Sequence, residues 1–124
     1  MSSATQNFDE VYSGIIAWAD AKGILSHSTV YKQLDKTSEE FNELQRAIAE
    51  ANVYDTLREE WEPTWPLDDI VDAFGDTMVT LIIAAHMMGI DLRKATAVAY
   101  EVISKRTGKM VDGKFVKESD LQQE

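Results

Sequence analysis

Two groups of acidic residues stand at helical spacings in this chain, and they are its clearest chemical signal. In Glu39, Glu40 and Glu43, separations of three and four bring Glu40/Glu43 and Glu39/Glu43 together on adjoining faces of a helix. Asp72 and Asp76 are four apart and share a face, interleaved with Val71 and Phe74 and followed by the most apolar run in the chain. Carboxylates this close raise one another's pKa, and burying them without partners costs several kcal/mol each. To stay ionised at neutral pH, such a cluster needs cations or strong hydrogen-bond donors. The chain has no cysteine, so thiolate zinc sites, iron–sulfur ligation and cysteine nucleophiles are excluded. Oxygen-only donors point to Mg²⁺ or Mn²⁺. A di-iron carboxylate site wants Glu-x-x-His on each of two helices. The residues three before His27 and His86 are Ile24 and Ile83, which rules that out and leaves both histidines as structural or surface groups. The competing reading of each acidic group is a solvated polar stripe.

Helices must position these acids, and the periodicity supplies them. Phe8, Val11, Tyr12, Ile15, Ile16 and Ala19 recur at three and four, predicting a helix from about Asn7 to Lys22, stopped by Gly23. Ser26-His27-Ser28 offers caps for a second helix from about Thr29 to Asn52, with a bend near Thr37-Ser38. Pro63 and Pro66 make 62–66 a loop, preceded by a short helical turn. A third helix starts at Leu67-Asp68-Asp69 and ends at Gly89; its second half is apolar nearly all round, as a central helix would be. Asp91 caps a fourth from Leu92 to about Arg106. Lys109 to Lys117 reads as a β-hairpin turning at Asp112-Gly113, and 118–124 as a polar tail. The expected class is all-α: four main helices in a bundle-like arrangement plus a short C-terminal β-hairpin, in a single domain spanning 1–124.

Composition narrows the classes further. Lys+Arg number 12 against 22 Asp+Glu, a net charge of −10, which argues against general affinity for nucleic-acid backbone or an anionic membrane. The N-terminus lacks a secretion signal, and no unbroken apolar run reaches the roughly 18 residues of a bilayer span. A soluble, cytoplasmic protein is expected. Only 2 prolines and 6 glycines are too few for a many-turned β architecture.

Lys36-Thr37-Ser38-Glu39-Glu40-Phe41-Asn42-Glu43-Leu44, then Asp72-Ala73-Phe74-Gly75-Asp76, then Lys105-Arg106-Thr107-Gly108-Lys109-Met110 and Gly113-Lys114-Phe115-Val116-Lys117 together resemble the MazG-like nucleoside triphosphate pyrophosphohydrolases, especially their compact phage-type members. The likeness runs in matching order from the first helix to the hairpin. It implies an all-α enzyme that uses Mg²⁺ or Mn²⁺ to cleave a nucleotide between its α- and β-phosphates, assembled as a homodimer or homotetramer, and working in the host cytoplasm if phage-encoded. By motif position, Glu40 and Glu43 become the first metal-ligand pair and Asp76 the aspartate of the second acidic helix. Glu39 becomes an outer ligand or the water-activating base. The usual second motif is Glu-x-x-Asp, whereas Ala73 stands three before Asp76; Asp72 is the substitute on the same face. Glu101 replaces an asparagine that the resemblance leads one to expect, so it is left out of the site.

A polyphosphate on an acidic protein needs bridging metal ions and a few direct cations. Lys36, one helical turn before Glu40, and Lys105, Arg106 and Lys109 are the phosphate-binding candidates. Trp18, Trp61 and Trp65 are the aromatic candidates for stacking on a base, Trp18 preferred, with Asn7 and Asn42 as polar readers. The substrate is expected to be a dNTP, dGTP being one candidate. Ile82, Ile83, Met87 and Met88 supply apolar surface beyond what four helices need, consistent with self-association. The alternative from another class is a non-catalytic acidic helical module that binds a nucleotide or a protein.

Overall fold

The computed structural model describes residues 6–55 and 67–121, with side chains described for 6–51 and 68–121. The expected loop at 62–66, the turn before it, Trp61 and Trp65 lie outside the described residues. The chain divides into two compact units, Met1–Asp91 and Leu92–Glu124.

The first unit holds α1 (Phe8–Ala21), α2 (Ile24–His27), α3 (Val30–Asp55) and α4 (Leu67–Met87). Asn7 caps α1: its side-chain oxygen accepts from the Glu10 amide at 2.9 Å, while its amide donates to Glu10 Oε1 at 3.0 Å. Gly23, at φ 79°, ends the first helix and starts α2, a single turn the sequence reading did not anticipate. The hydroxyl-rich Ser26-His27-Ser28 belongs partly to that turn rather than to the next cap. Thr29 is the actual cap of α3, accepting from the Lys32 amide at 3.1 Å. The helix then runs unbroken through Thr37-Ser38. At its far end α4 closes with Gly89 at φ 73°, the Gly89 amide donating to the His86 carbonyl and the Ile90 amide to the Ala85 carbonyl, each at 2.9 Å. This paired capping satisfies carbonyls that a helix end otherwise leaves open.

α4 is the centre of this unit, packed against α3 and α1. Its seam with α3 buries Leu44, Ala51, Ile70 and Ala73, with Ala47 and Ile48 at the edge. Across the same seam the Thr37 hydroxyl donates to the buried Thr80 hydroxyl at 2.7 Å, and Thr80 donates to the Thr77 carbonyl at 2.9 Å. These contacts run in opposite chain order on the two helices, so α3 and α4 are antiparallel. Tyr12 and Ala19, seven apart, form the buried stripe of α1, with Phe8 edge-on to Tyr12 at 6.0 Å between ring centroids.

One expectation about α4 is corrected. Ile82 and Ile83 are 0% and 2% exposed and belong to the core, so they do not form a free apolar face. The exposed large apolar residues of this helix are Val71, Phe74 and Met78, with Met88 just past its end. An all-round apolar helix gives periodicity nothing with which to choose its buried side. Asp68–Met87 also reaches, at a mean hydropathy of 1.4, the length and composition of a helix able to cross a bilayer, although no unbroken apolar run does; Asp72 and Asp76 interrupt the run without cancelling its average.

The second unit holds α5 (Leu92–Ile103), β1 (Gly108–Val111), β2 (Lys114–Lys117) and α6 (Glu118–Leu121). α5 ends three residues before Arg106, because the amides of Lys105 and Arg106 bond to carbonyls only three residues back, those of Val102 and Ile103, and tighten the chain out of the α-helix. The hairpin pairs Gly108 with Lys117 and Val111 with Lys114, and Asp112 and Gly113 take φ 50° and 80°, as a type I′ turn requires. The start of the expected polar tail is the helical turn α6, tied back by Thr107: its carbonyl accepts from the Glu118 amide at 2.8 Å and its hydroxyl donates to the Glu118 carboxylate at 2.6 Å.

Gly108 is the tightest point of the hairpin. A Cβ there would run into the Val116 carbonyl oxygen and come within 2.8 Å of the Phe115 ring. Gly108→Ala is therefore expected to cost the hairpin roughly 1–3 kcal/mol, as overpacking does. Faster tryptic cleavage at Lys109 and Lys114 would report it; an unchanged cleavage rate would contradict this packing.

Candidate active site

The candidate site is built on the α3/α4 seam. Thr37 precedes Glu40 by three residues and Thr80 follows Asp76 by four, so the hydroxyl bond lies about one helical turn from both acids. Antiparallel packing then sets Glu40 of α3 against Asp76 of α4. The Glu40 side chain is only 14% exposed, with the Lys36 ammonium 3.8 Å away. Its pKa is raised, first by burial, then by the charges of Glu43 and Asp76, with Lys36 opposing and a hydrogen bond to Glu43 adding to the rise. Acids from two helices thus act on one partly buried carboxylate.

Glu43 and Asp76 are exposed, and Glu39, next to Glu40 on α3, is exposed as well. Asp72 is exposed one turn before Asp76, and among the described residues the charges acting on Glu40 are Glu43, Asp76 and Lys36. Ala73 is buried in the seam with Leu44 and Ile70, so the position of the missing motif acid is filled by a core methyl. Among the described residues, no three histidine or acidic side chains are gathered closely enough to form a ready-made metal cage.

A raised Glu40 pKa has a stability consequence. The folded chain binds more protons than the unfolded chain between the ordinary glutamate pKa and the raised one, so this group's contribution to stability falls as pH rises through that window. In metal-free protein, Glu40→Gln is expected to flatten the loss of melting temperature as pH rises above 4.5, the ordinary glutamate value. Parallel thermal melts of the two proteins test this; identical pH profiles would refute it.

A groove of about 480 Å³ between α1 and α4 adjoins these acids, lined by Gln6, Glu10, Val11, Gly14, Ile15, Trp18, Asp76 and Val79. Trp18, 49% exposed, therefore shares a wall with Asp76. Gln6 and Glu10 were not singled out by the sequence, because nothing in their spacing separates them from an ordinary helix start. Asn7 spends both ends of its amide on the α1 cap, and Asn42 is exposed on α3. His27 is engaged within α2, its ring nitrogen 3.0 Å from the Gly23 carbonyl. Lys105, Arg106 and Lys109 lie in the second unit. There Lys105 is 4.0 Å from Glu101, and Lys105 and Arg106 line a shallow groove with Thr107, Lys117, Glu118 and Ser119.

Residues 20–102 match the sequence profile of the phosphoribosyl-ATP pyrophosphohydrolase family. The chain belongs to this family. It carries a MazG-like, all-α pyrophosphohydrolase-type domain, and the match takes in both acidic motifs and α5 as far as Val102. The hairpin and the cations Lys105, Arg106 and Lys109 lie beyond the family match. No curated protein and no solved structure gives a significant match to the chain.

Proposed function

We propose that the chain is a metal-dependent nucleotide pyrophosphohydrolase that cleaves a (d)NTP, with dGTP a candidate, between the α- and β-phosphates to give (d)NMP and pyrophosphate. The observation that carries this reading is the crowding of Glu40 by Glu43 on its own helix and by Asp76 from the facing helix. One partly buried carboxylate crowded by two exposed ones, with Lys36 nearby, suits a hard divalent cation, so the donor chemistry fits Mg²⁺ or Mn²⁺. Glu40, Glu43 and Asp76 would hold it, with Asp72 the further candidate ligand. Such an ion, when bound, neutralises polyphosphate charge and acidifies water.

The chain's own residues do the rest. Glu39 orients the attacking water and takes its proton as the oxygen bonds to the α-phosphorus. The bond from that phosphorus to the bridging oxygen breaks, and pyrophosphate leaves. Lys36 neutralises phosphate charge from one turn along α3, and Lys105, Arg106 and Lys109 are the further cations proposed for the phosphates. Trp18 offers a stacking face for the base. A homodimer or homotetramer is part of this proposal; the exposed Val71, Phe74 and Met78 on α4 and Val98, Val102 and Ile103 on α5 support it. Light scattering of pure protein reads the mass, and a 14.0 kDa particle would remove that part.

The test is a product-resolved panel of NTPs, dNTPs and phosphoribosyl-ATP, with Mg²⁺, Mn²⁺ or chelator. Pyrophosphate and a monophosphate product are expected only with metal, and the same ions are expected to raise the melting temperature. No pyrophosphate from any nucleotide would defeat the proposal. The buried methyl of Ala73 favours one second reading, nucleotide binding without turnover. Saturable binding with no product, unrescued by Mn²⁺, would select it.

A further inference from the structure

The α1 face of the groove contains a glycine that the fold does not explain. Gly14 sits mid-helix, where glycine costs about 1 kcal/mol relative to alanine. Its φ is not positive, and a Cβ added there would meet nothing within 4 Å. Nothing within the described chain requires the missing methyl. The open space above it lies between Glu10, one turn before, and Trp18, one turn after, and Val11, Ile15 and Val79 make the surrounding wall apolar. This is a slot for a flat, largely apolar ring.

Its polar groups are selective. Glu10 and Asp76 both repel phosphate, so the slot takes the uncharged end of a nucleotide, and the phosphates need the cation at the Asp76/Glu40 end. Glu10 is held in place: the Asn7 amide donates to its Oε1 at 3.0 Å, and Asn7 is itself fixed as the helix cap. An ionised carboxylate only accepts hydrogen bonds, and its two oxygens match two parallel N–H donors. Among the common bases only guanine presents two adjacent donors, N1–H and the 2-amino group. Adenine and cytosine set one amino group beside an acceptor nitrogen, and uracil and thymine set one N–H between two carbonyls.

We propose that the α1/α4 groove seats the substrate's base over Gly14 and against Trp18, and that Glu10 is its specificity-determining residue, selecting guanine by accepting from N1–H and the 2-amino group. This rests on the pyrophosphohydrolase reading for its place in catalysis, though not for the binding itself.

The experiment measures kcat/KM for dGTP, dITP and dATP on wild type, Glu10→Gln and Gly14→Ala. Removing a charge-assisted pair of hydrogen bonds is expected to lower dGTP efficiency about ten- to a hundredfold, dITP less, and dATP hardly at all. Gly14→Ala is expected to raise the melting temperature while raising KM for dGTP, a pair of opposite changes that a purely structural glycine would not give. Unchanged dGTP-over-dATP selectivity in an active Glu10→Gln enzyme, or an unchanged KM in Gly14→Ala, would overturn the proposal. If wild type hydrolyses no nucleotide, the functional reading fails separately, and calorimetry with guanosine and adenosine decides the groove. Preferential guanosine binding lost in Glu10→Gln supports the assignment, and equal or absent binding of the two nucleosides refutes it.

Discussion

Asp76→Asn is expected to lower kcat/KM for the preferred nucleotide by about 10²- to 10³-fold while leaving the protein folded, and in the metal-free state slightly more stable. The activity loss follows from removing the α4 charge that acts on Glu40, and hence the second helix's contribution to gripping the proposed cation. The stability gain follows from the same neighbourhood. With Asp76 uncharged, the ionised form of Glu40 loses one of the repulsions that raise its pKa, and its cost at neutral pH shrinks. A residue kept only for structure would give neither the sign reversal nor its disappearance on adding Mg²⁺. Steady-state kinetics beside melts with and without metal decide the matter, and full activity in the variant would sink the assignment of Asp76.

Ile82→Ala is the second large effect, and it falls on stability. Ile82 is fully buried at the centre of the first unit, so truncation leaves a cavity as well as removing apolar contact, and about 2–5 kcal/mol is expected in urea titrations. Val71→Ala on the same helix is the comparison. At 59% exposure in the single chain it is expected to cost about 0.5 kcal/mol or less. A concentration-dependent cost at Val71 would show that this stripe is covered by another copy. A negligible effect at Ile82 would contradict the packing of α4.

Much of the fold is legible in local chemistry. The three- and four-residue recurrence from Phe8 to Ala19 marks α1, Gly89 marks the end of α4, and Asp112-Gly113 marks the turn, because each is a short-range steric or hydrogen-bonding rule. What escapes is decided at longer range or by competition between weak signals. The single turns α2 and α6 are built from residues that also serve as caps and tails. The end of α5 depends on a switch in hydrogen-bond spacing rather than on a stop residue. Which side of α4 is buried depends on where α1 and α3 lie. The acidic spacings identify Glu40, Glu43 and Asp76 as candidates, but that Asp76 acts on Glu40 while Ala73 turns into the core depends on helix register, which no single helix encodes. The groove beside Trp18 is likewise a product of two helices, so Glu10 and Gly14 carry no motif of their own.

The hydroxyl pair Thr37–Thr80 bears on that register more than on strength. Apolar side chains at both positions would fill the seam about as well, yet they would let one cylinder slide along the other with little penalty. A short polar clasp has a narrow distance tolerance, and so it behaves as a gauge block, fixing the axial offset that sets the gap between opposing carboxylates. Fine alignment of the oxygen donors for the proposed ion would then be governed by two threonines outside the proposed donor set.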